Sequence, residues 1–366
     1  MIMRPARAQS QTAYLIRIIA IILAPILLSG CYVSRAAYEE GRILWNRKPI
    51  DDVLAHNDLP ADTREKLKTV LAVRKFAAEQ LGENVGGAYE TIAQVNQSAI
   101  VHVVMAAPRD SLVPYTWWFP IVGSVPYRGY FEEKDALAEA ASLEEDGLDT
   151  MVRPSIAFSS LGFFSDPLLT NLLKLDRVEL ANVMIHELFH RTYYLASDAM
   201  FDESAANYVG TAGAVAFFAA TDGESAPTTK AAREILDSDM KFARFMLKEQ
   251  ARLLDIYMAD LPTKELDKRR EVAFAAIKAD YAVLEPTLSG LERFDLDKQP
   301  LNNAVFVNYL IYFHQLDNFA ALNRMNHGDL RATIAQIISI AKAHPDDPFY
   351  AISQVVRDAP AAPAGS

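Results

Sequence analysis

Two histidines four residues apart flank a glutamate in the run Val183-Met184-Ile185-His186-Glu187-Leu188-Phe189-His190. The neighbouring residues are apolar and predict a helix, on which positions four apart stand about 40° from each other around the axis. Both imidazoles then share a face and can hold one zinc ion, with Glu187 beside them to take a proton from a bound water. The plainer alternative is a histidine pair on a buried helix. With seven histidines in the chain, a chance match to the pattern is on the order of one in a hundred, so the motif is suggestive by itself.

Zinc needs a third protein ligand and an open position for water. After the motif, Ser197 and Asp198 mark a turn, and Phe201-Asp202-Glu203-Ser204-Ala205-Ala206-Asn207-Tyr208 opens a second helix with acids in its first turn. Glu203 lies thirteen residues beyond His190, enough for a loop and a return, so a two-His, one-Glu site is expected. Asp202 is the rival, about 100° away around the same helix. Either acid could instead simply favour the helix dipole. Asp198 and Asp202 could also support the ligands from behind.

The elements that must position these residues begin after the first thirty. Arg4, Arg7 and Arg17 precede an apolar run, Ile18 to Leu28, too short to span a bilayer and suited to a signal peptide. Leu28-Ser29-Gly30-Cys31 looks like a bacterial lipobox, with cleavage before Cys31 and acylation of it. An uncleaved anchor is disfavoured by Arg17 and Pro25. Tyr32, not Asp, follows the cysteine, which favours the outer membrane, facing the periplasm. Cys31 is the only cysteine, so an internal disulfide is excluded, and neither a cysteine-based zinc site nor a catalytic thiol is expected. Losing residues 1–30 removes three of the 36 basic residues, leaving 33 against 47 acids, a net charge of −14. That balance argues against nucleic acid as a partner.

Helices are expected over Ala36–Arg47 and Thr63–Gln80, with a loop around Ile50–Leu54. Ile100–Ala106 reads as a buried strand, in which His102 is a sheet residue and not a ligand. An aromatic, proline-punctuated region follows, with Tyr115, Trp117, Trp118, Phe119, Tyr127, Tyr130 and Phe131. It could be sheet packing or the wall of a substrate cleft. Lys134–Glu145 is a predicted helix, Thr150–Ser159 a strand whose edge could take substrate backbone. Asp166 is expected to cap a helix starting at Pro167. Beyond a linker at Thr221–Pro227, helices are expected at Thr229–Asp260, Lys264–Leu284, from Leu301, and at Leu330–Ala343. The expected divisions are 1–30 lipoprotein signal peptide, 31–60 N-terminal helix and tether, 61–220 α+β zinc-binding catalytic part, 221–355 helical C-terminal part and 356–366 disordered tail.

The chain resembles a family of bacterial lipoproteins described as zinc aminopeptidases of gluzincin type. The resemblance is carried by Ala106-Ala107-Pro108, Phe119-Pro120-Ile121-Val122-Gly123, Tyr127-Arg128-Gly129-Tyr130-Phe131 and Ser160-Leu161-Gly162-Phe163-Phe164-Ser165-Asp166-Pro167. The zinc motif, Phe201-Asp202-Glu203-Ser204, Asn302-Asn303-Ala304 and Tyr312 complete it. It implies Zn2+ on His186, His190 and Glu203, Glu187 as general base, and Tyr312 as a donor to the transition state. The chain departs from the family pattern at Trp118 (often Cys), Phe158 (Tyr), Asp202 (Asn) and Asp317 (Pro). Arg191, directly after the motif, is unusual for zinc peptidases. No Gly-x-Met-x-Asn element for a free amino terminus is present.

The expected fold is α+β and zincin-like, with a small mixed sheet before the motif helix and a mainly helical C-terminal part. The expected function is a lipid-anchored zinc metallopeptidase acting on peptides. The alternative is a non-catalytic envelope lipoprotein that binds a peptide or protein on the same fold.

Overall fold

This computed structural model describes residues 41, 44–95, 101–119, 123–155, 166–290, 294 and 296–359. The lipobox with Cys31, most of the Ala36–Arg47 helix, and Phe158 lie outside the described residues. The fold is α+β, largely helical with small sheets. From Lys48 onward the chain forms one compact unit.

The strands are β1 (Lys48–Pro49), β2 (Thr91–Ala93), β3 (Val101–Pro108), β4 (Trp117–Phe119), β5 (Gly123–Val125), β6 (Arg128–Tyr130), β7 (Leu148–Ser155) and β8 (Leu168–Leu169). The central sheet runs β6-β3-β7 and is antiparallel, with Val104 opposite Val152 and Arg128. Side chains alternate across it. Val104 and Ala106 face Ala136, Ala140 and Leu143 of helix α3 (Glu133–Glu145), while Val103, Met105, Ala107 and Met151 face the main core. A smaller sheet, β1-β2-β8, is mixed, and β4-β5 is a hairpin. His102 stays in the central sheet, opposite Tyr130 and Pro154.

Helix α1 (Ile50–Ala55) occupies the segment expected as a loop. Its Ile50 is fully buried, and that anchorage outweighs the two aspartates that follow. Helix α2 (Ala61–Phe76) continues into a π turn, Ala77–Leu81, which Gly82 ends at φ 76°.

No α-helix starts at Pro167. Leu168 and Leu169 pair with β2 instead, and a 3-10 turn, Thr170–Lys174, follows. The motif helix α4 (Arg177–Thr192) is capped by Asp176, whose Oδ1 accepts from the Val178 and Glu179 amides at 2.7 and 2.9 Å. Glu179 returns the bond to the Asp176 amide. Asp-x-x-Glu is a capping box legible in the sequence, and it satisfies orphan donors reciprocally.

Helix α5 (Ala199–Thr221) is buried all round from Phe201 to Ala214. Then come α6 (Pro227–Tyr257), α7 (Thr263–Leu284), α8 (Asn303–Phe313), α9 (Leu316–Met325), α10 (Leu330–Ala343) and α11 (Pro348–Asp358). The last was not anticipated, and it runs into the stretch expected as tail. Helix α8 is buried on nearly every side, so α5 and α8 form the centre around which the others pack.

Candidate metal centre

The site is built first by close approach of α4 and α5. A Cβ added at Gly210 would lie 2.9 Å from the Asn182 carbonyl oxygen and 3.1 Å from His186 Cβ. Only glycine lets the two backbones come this near, and that closeness brings the start of α5 against the histidine face of α4. The connecting loop is clamped by two acids. Asp198 caps α5 through the Phe201 amide at 3.1 Å, and Asp202 Oδ1 accepts from the Leu195 amide at 2.9 Å.

Three donor atoms converge as a result. His186 Nε2 and Glu203 Oε2 are 3.2 Å apart, His190 Nε2 and Glu203 Oε2 3.3 Å, and the two imidazole nitrogens 3.1 Å. Of the described residues, these three form the cluster able to hold a metal ion. Asp202, the rival, is turned to the loop and is not part of it.

The electrostatics follow from this packing. Burial alone would depress His190, but the Glu203 carboxylate outweighs it and pushes His190 up to about 9. Burial would raise Glu203, yet the two imidazoles hold it well below the usual carboxylate range. Glu187 is raised by burial, which its flanking histidines only partly offset. Burial pushes Asp202 up to about 8 against the Leu195 bond. Asp202 Oδ2 and His190 Nδ1 are both buried without hydrogen-bond partners among the described residues.

Tyr312, on the last turn of α8, stacks beside His186 with ring centroids 6.3 Å apart. Burial and then Glu203 push its hydroxyl up. Its backbone is fixed to α5: Asn207 Nδ2 donates to the Tyr312 carbonyl at 3.1 Å and Ser204 Oγ to the Ile311 carbonyl at 2.7 Å. The His314 amide in turn donates to Ser204 Oγ. Ser204 and Asn207 thus satisfy carbonyls that a helix end leaves open. The Asn302-Asn303 pair works at the other end of α8. Asn302 caps it and donates to the Thr150 carbonyl, while buried Asn303 donates to the carbonyls of Pro108 and Ser111. This pair staples α8 to the central sheet, and its side-chain amides donate to Thr150, Pro108 and Ser111 instead of the three donors.

The aromatic region divides between its two expected uses. Trp117 and Tyr130 pack against the α3 side of the sheet, and Trp118 is 70 % exposed. Tyr127 lies by the site instead: burial first, then Glu203, Tyr312, Tyr194 and Glu187, raise its hydroxyl. β7 is an edge strand among the described residues, but Asn302 already takes its Thr150 carbonyl.

Sequence reasoning missed Arg153, Asn308 and Tyr89. Arg153 Nε donates to Asn308 Oδ1 at 3.0 Å and Nη2 to the Tyr312 hydroxyl at 3.3 Å. A charged residue in a strand facing the core was the available signal. Tyr89 is buried at φ 58°, a backbone conformation costly for a bulky residue, and its amide donates to the Asp166 carbonyl. After burial, Glu187 is the strongest influence raising its hydroxyl.

No curated protein and no solved structure matches the chain. Residues 31–348 match the family described as "Putative aminopeptidase". That match spans α4 and α5, which carry the three donors, together with the sheet and α8, and the chain belongs to this family.

Proposed function

We propose that the protein is a zinc metallopeptidase of zincin-like fold, with the metal on His186, His190 and Glu203. The observation that carries this reading is the spacing of the three donors, 3.1 to 3.3 Å. Tetrahedral ligands about 2.0–2.1 Å from zinc stand about 3.3 Å apart, so the donor set fits the ion in both chemistry and size. When bound, zinc supplies Lewis acidity, polarising the peptide carbonyl and acidifying the attacking water.

The chain's own residues supply the rest. Glu187 takes the proton of the attacking water and delivers it to the leaving amine. Burial raises Glu187 above the ordinary carboxylate value, the direction that favours holding the proton between the two transfers. Tyr312 donates a hydrogen bond to the oxyanion. Arg153 supports that role: a guanidinium only donates, so the Tyr312 oxygen accepts from it and its own proton is directed elsewhere. The family match supports peptides as substrate and begins at Cys31, the residue proposed to carry the lipid anchor. Attachment through Cys31 would hold the enzyme in the bacterial envelope, at the outer membrane facing the periplasm. No helix among the described residues is long and apolar enough to cross a membrane.

The test is metal content and peptide hydrolysis of the full chain and two variants. One zinc per chain is expected, retained in Glu187→Gln with loss of hydrolysis and absent from Glu203→Ala. Undiminished hydrolysis by Glu187→Gln would reject the mechanism, and zinc binding by Glu203→Ala would reject the ligand set.

A further inference from the structure

Arg153 is a half-buried cation beside the proposed oxyanion donor, and among the described residues it has no carboxylate partner. The contrast lies on its own strand. Asp149, four residues earlier on the same face of β7, ion-pairs with the buried Arg270. Where a counter-ion for Arg153 would sit, the chain offers the neutral amide of Asn308 and the hydroxyl of Tyr312. The protein is acidic, with a formal net charge of −11, so carboxylates are not scarce. Holding a charge partly out of water without an opposite charge costs free energy, and an arriving anion would offset that cost.

A guanidinium presents five N–H donors in a planar fork. Nε and Nη2 are directed to Asn308 and Tyr312, and Nη1 has no protein partner among the described residues. The Tyr312 hydroxyl and Arg153 are 3.3 Å apart. One residue of extended peptide advances about 3.3–3.6 Å. A substrate whose scissile carbonyl reaches Tyr312 therefore has a residue one or two positions from the scissile bond within reach of the guanidinium, and a peptide's terminal carboxylate can lie there only on the leaving-amine side.

We propose that Arg153 binds a carboxylate of the substrate, one or two residues beyond the scissile bond on the leaving-amine side. This rests on the peptidase reading above and narrows it to short peptides with an anionic end. The carboxylate can be the peptide's C-terminus or an Asp or Glu side chain in the same place, since the guanidinium fork fits both alike.

The experiment measures calorimetric binding of Ala-Ala, Ala-Ala-amide and Ala-Asp-amide to the zinc-loaded full chain carrying Glu187→Gln. Ala-Ala should bind at least about tenfold tighter than Ala-Ala-amide, as expected for a charge-assisted hydrogen bond. Adding Arg153→Gln should bring the ratio below about twofold, and Arg153→Lys should retain part of it. Tight binding of Ala-Asp-amide would assign the side-chain source, and weak binding the C-terminus. Equal binding of Ala-Ala and its amide, no binding of either, or an acid preference that survives Arg153→Gln overturns the proposal. Hydrolysis by the wild type separates the two readings. Equal cleavage of acid and amide would remove the role of Arg153 and leave the peptidase. An Arg153-dependent preference for Ala-Ala, with no peptide cleaved, would remove the peptidase alone.

Discussion

The two halves of the candidate site are assembled by different forces. On the side of the proposed ligands, His186, His190 and Glu203 come from one helical hairpin, and the determinant is backbone proximity at Gly210. On the other side, Tyr312 and Arg153 lie 159 residues apart and meet through side-chain hydrogen bonds. Tyr312 is held further by Ser204 and Asn207, Arg153 by Asn308. The first half is a packing problem, set by the helix contact and by the three donor side chains it brings together. The second is a network, in which removing one donor leaves its partners unsatisfied. The difference teaches where to separate metal binding from chemistry: the hairpin should govern the metal, the network the rate.

The strongest way to break that division is Tyr312→Phe. Zinc content should be unchanged while kcat falls about 10²- to 10³-fold, the usual loss for one oxyanion donor. A fall in zinc content of the same order would show that the network also builds the metal site.

Ser204→Ala is the intermediate case, because Ser204 belongs to α5 but serves α8. Its loss leaves the buried Ile311 carbonyl and the His314 amide without their partner. Urea denaturation should report about 1–3 kcal/mol of destabilisation. The accompanying drop in kcat should be smaller than for Tyr312→Phe, with metal retained.

The smallest expected effect on the reaction lies at His314, just past α8, where burial pushes the imidazole down to about 4. An unfolded histidine titrates near 6.5, so between 6.5 and about 4 the unfolded chain binds a proton that the folded chain does not. The neutral folded imidazole therefore costs nothing above about pH 6.5, and stability is lost as pH falls through that window. From pH 7 to 5 the wild type should lose about 2 kcal/mol that His314→Phe does not lose. Parallel urea midpoints for the two proteins would refute this. The ring sits edge-on to Phe349 at 4.7 Å, so an aromatic replacement keeps the contact.

What could be read along the chain follows sequence separation. Motif residues four apart, and an acid thirteen further on, are set by helix geometry and one short loop, so the triad was legible before any fold was known. Helix α10 was legible for the same reason, its apolar period running from Leu330 to Ala343. The Pro167 expectation failed because a local cap signal cannot reveal that Leu168 and Leu169 pair with Ile92 and Ala93.

By itself, the sequence determined a His-Glu-Leu-Phe-His helix, an acid placed to return to it, and an acidic α+β chain with a lipobox-like start. Only the tertiary structure decided that Asp202 faces the loop, that the Asn302-Asn303 pair is a staple, and that Arg153 stands beside Tyr312 without a carboxylate partner among the described residues. The physical reason is range. Helix periodicity and capping act over a few residues, whereas a buried charge or amide finds its partner wherever packing brings one, however distant along the chain.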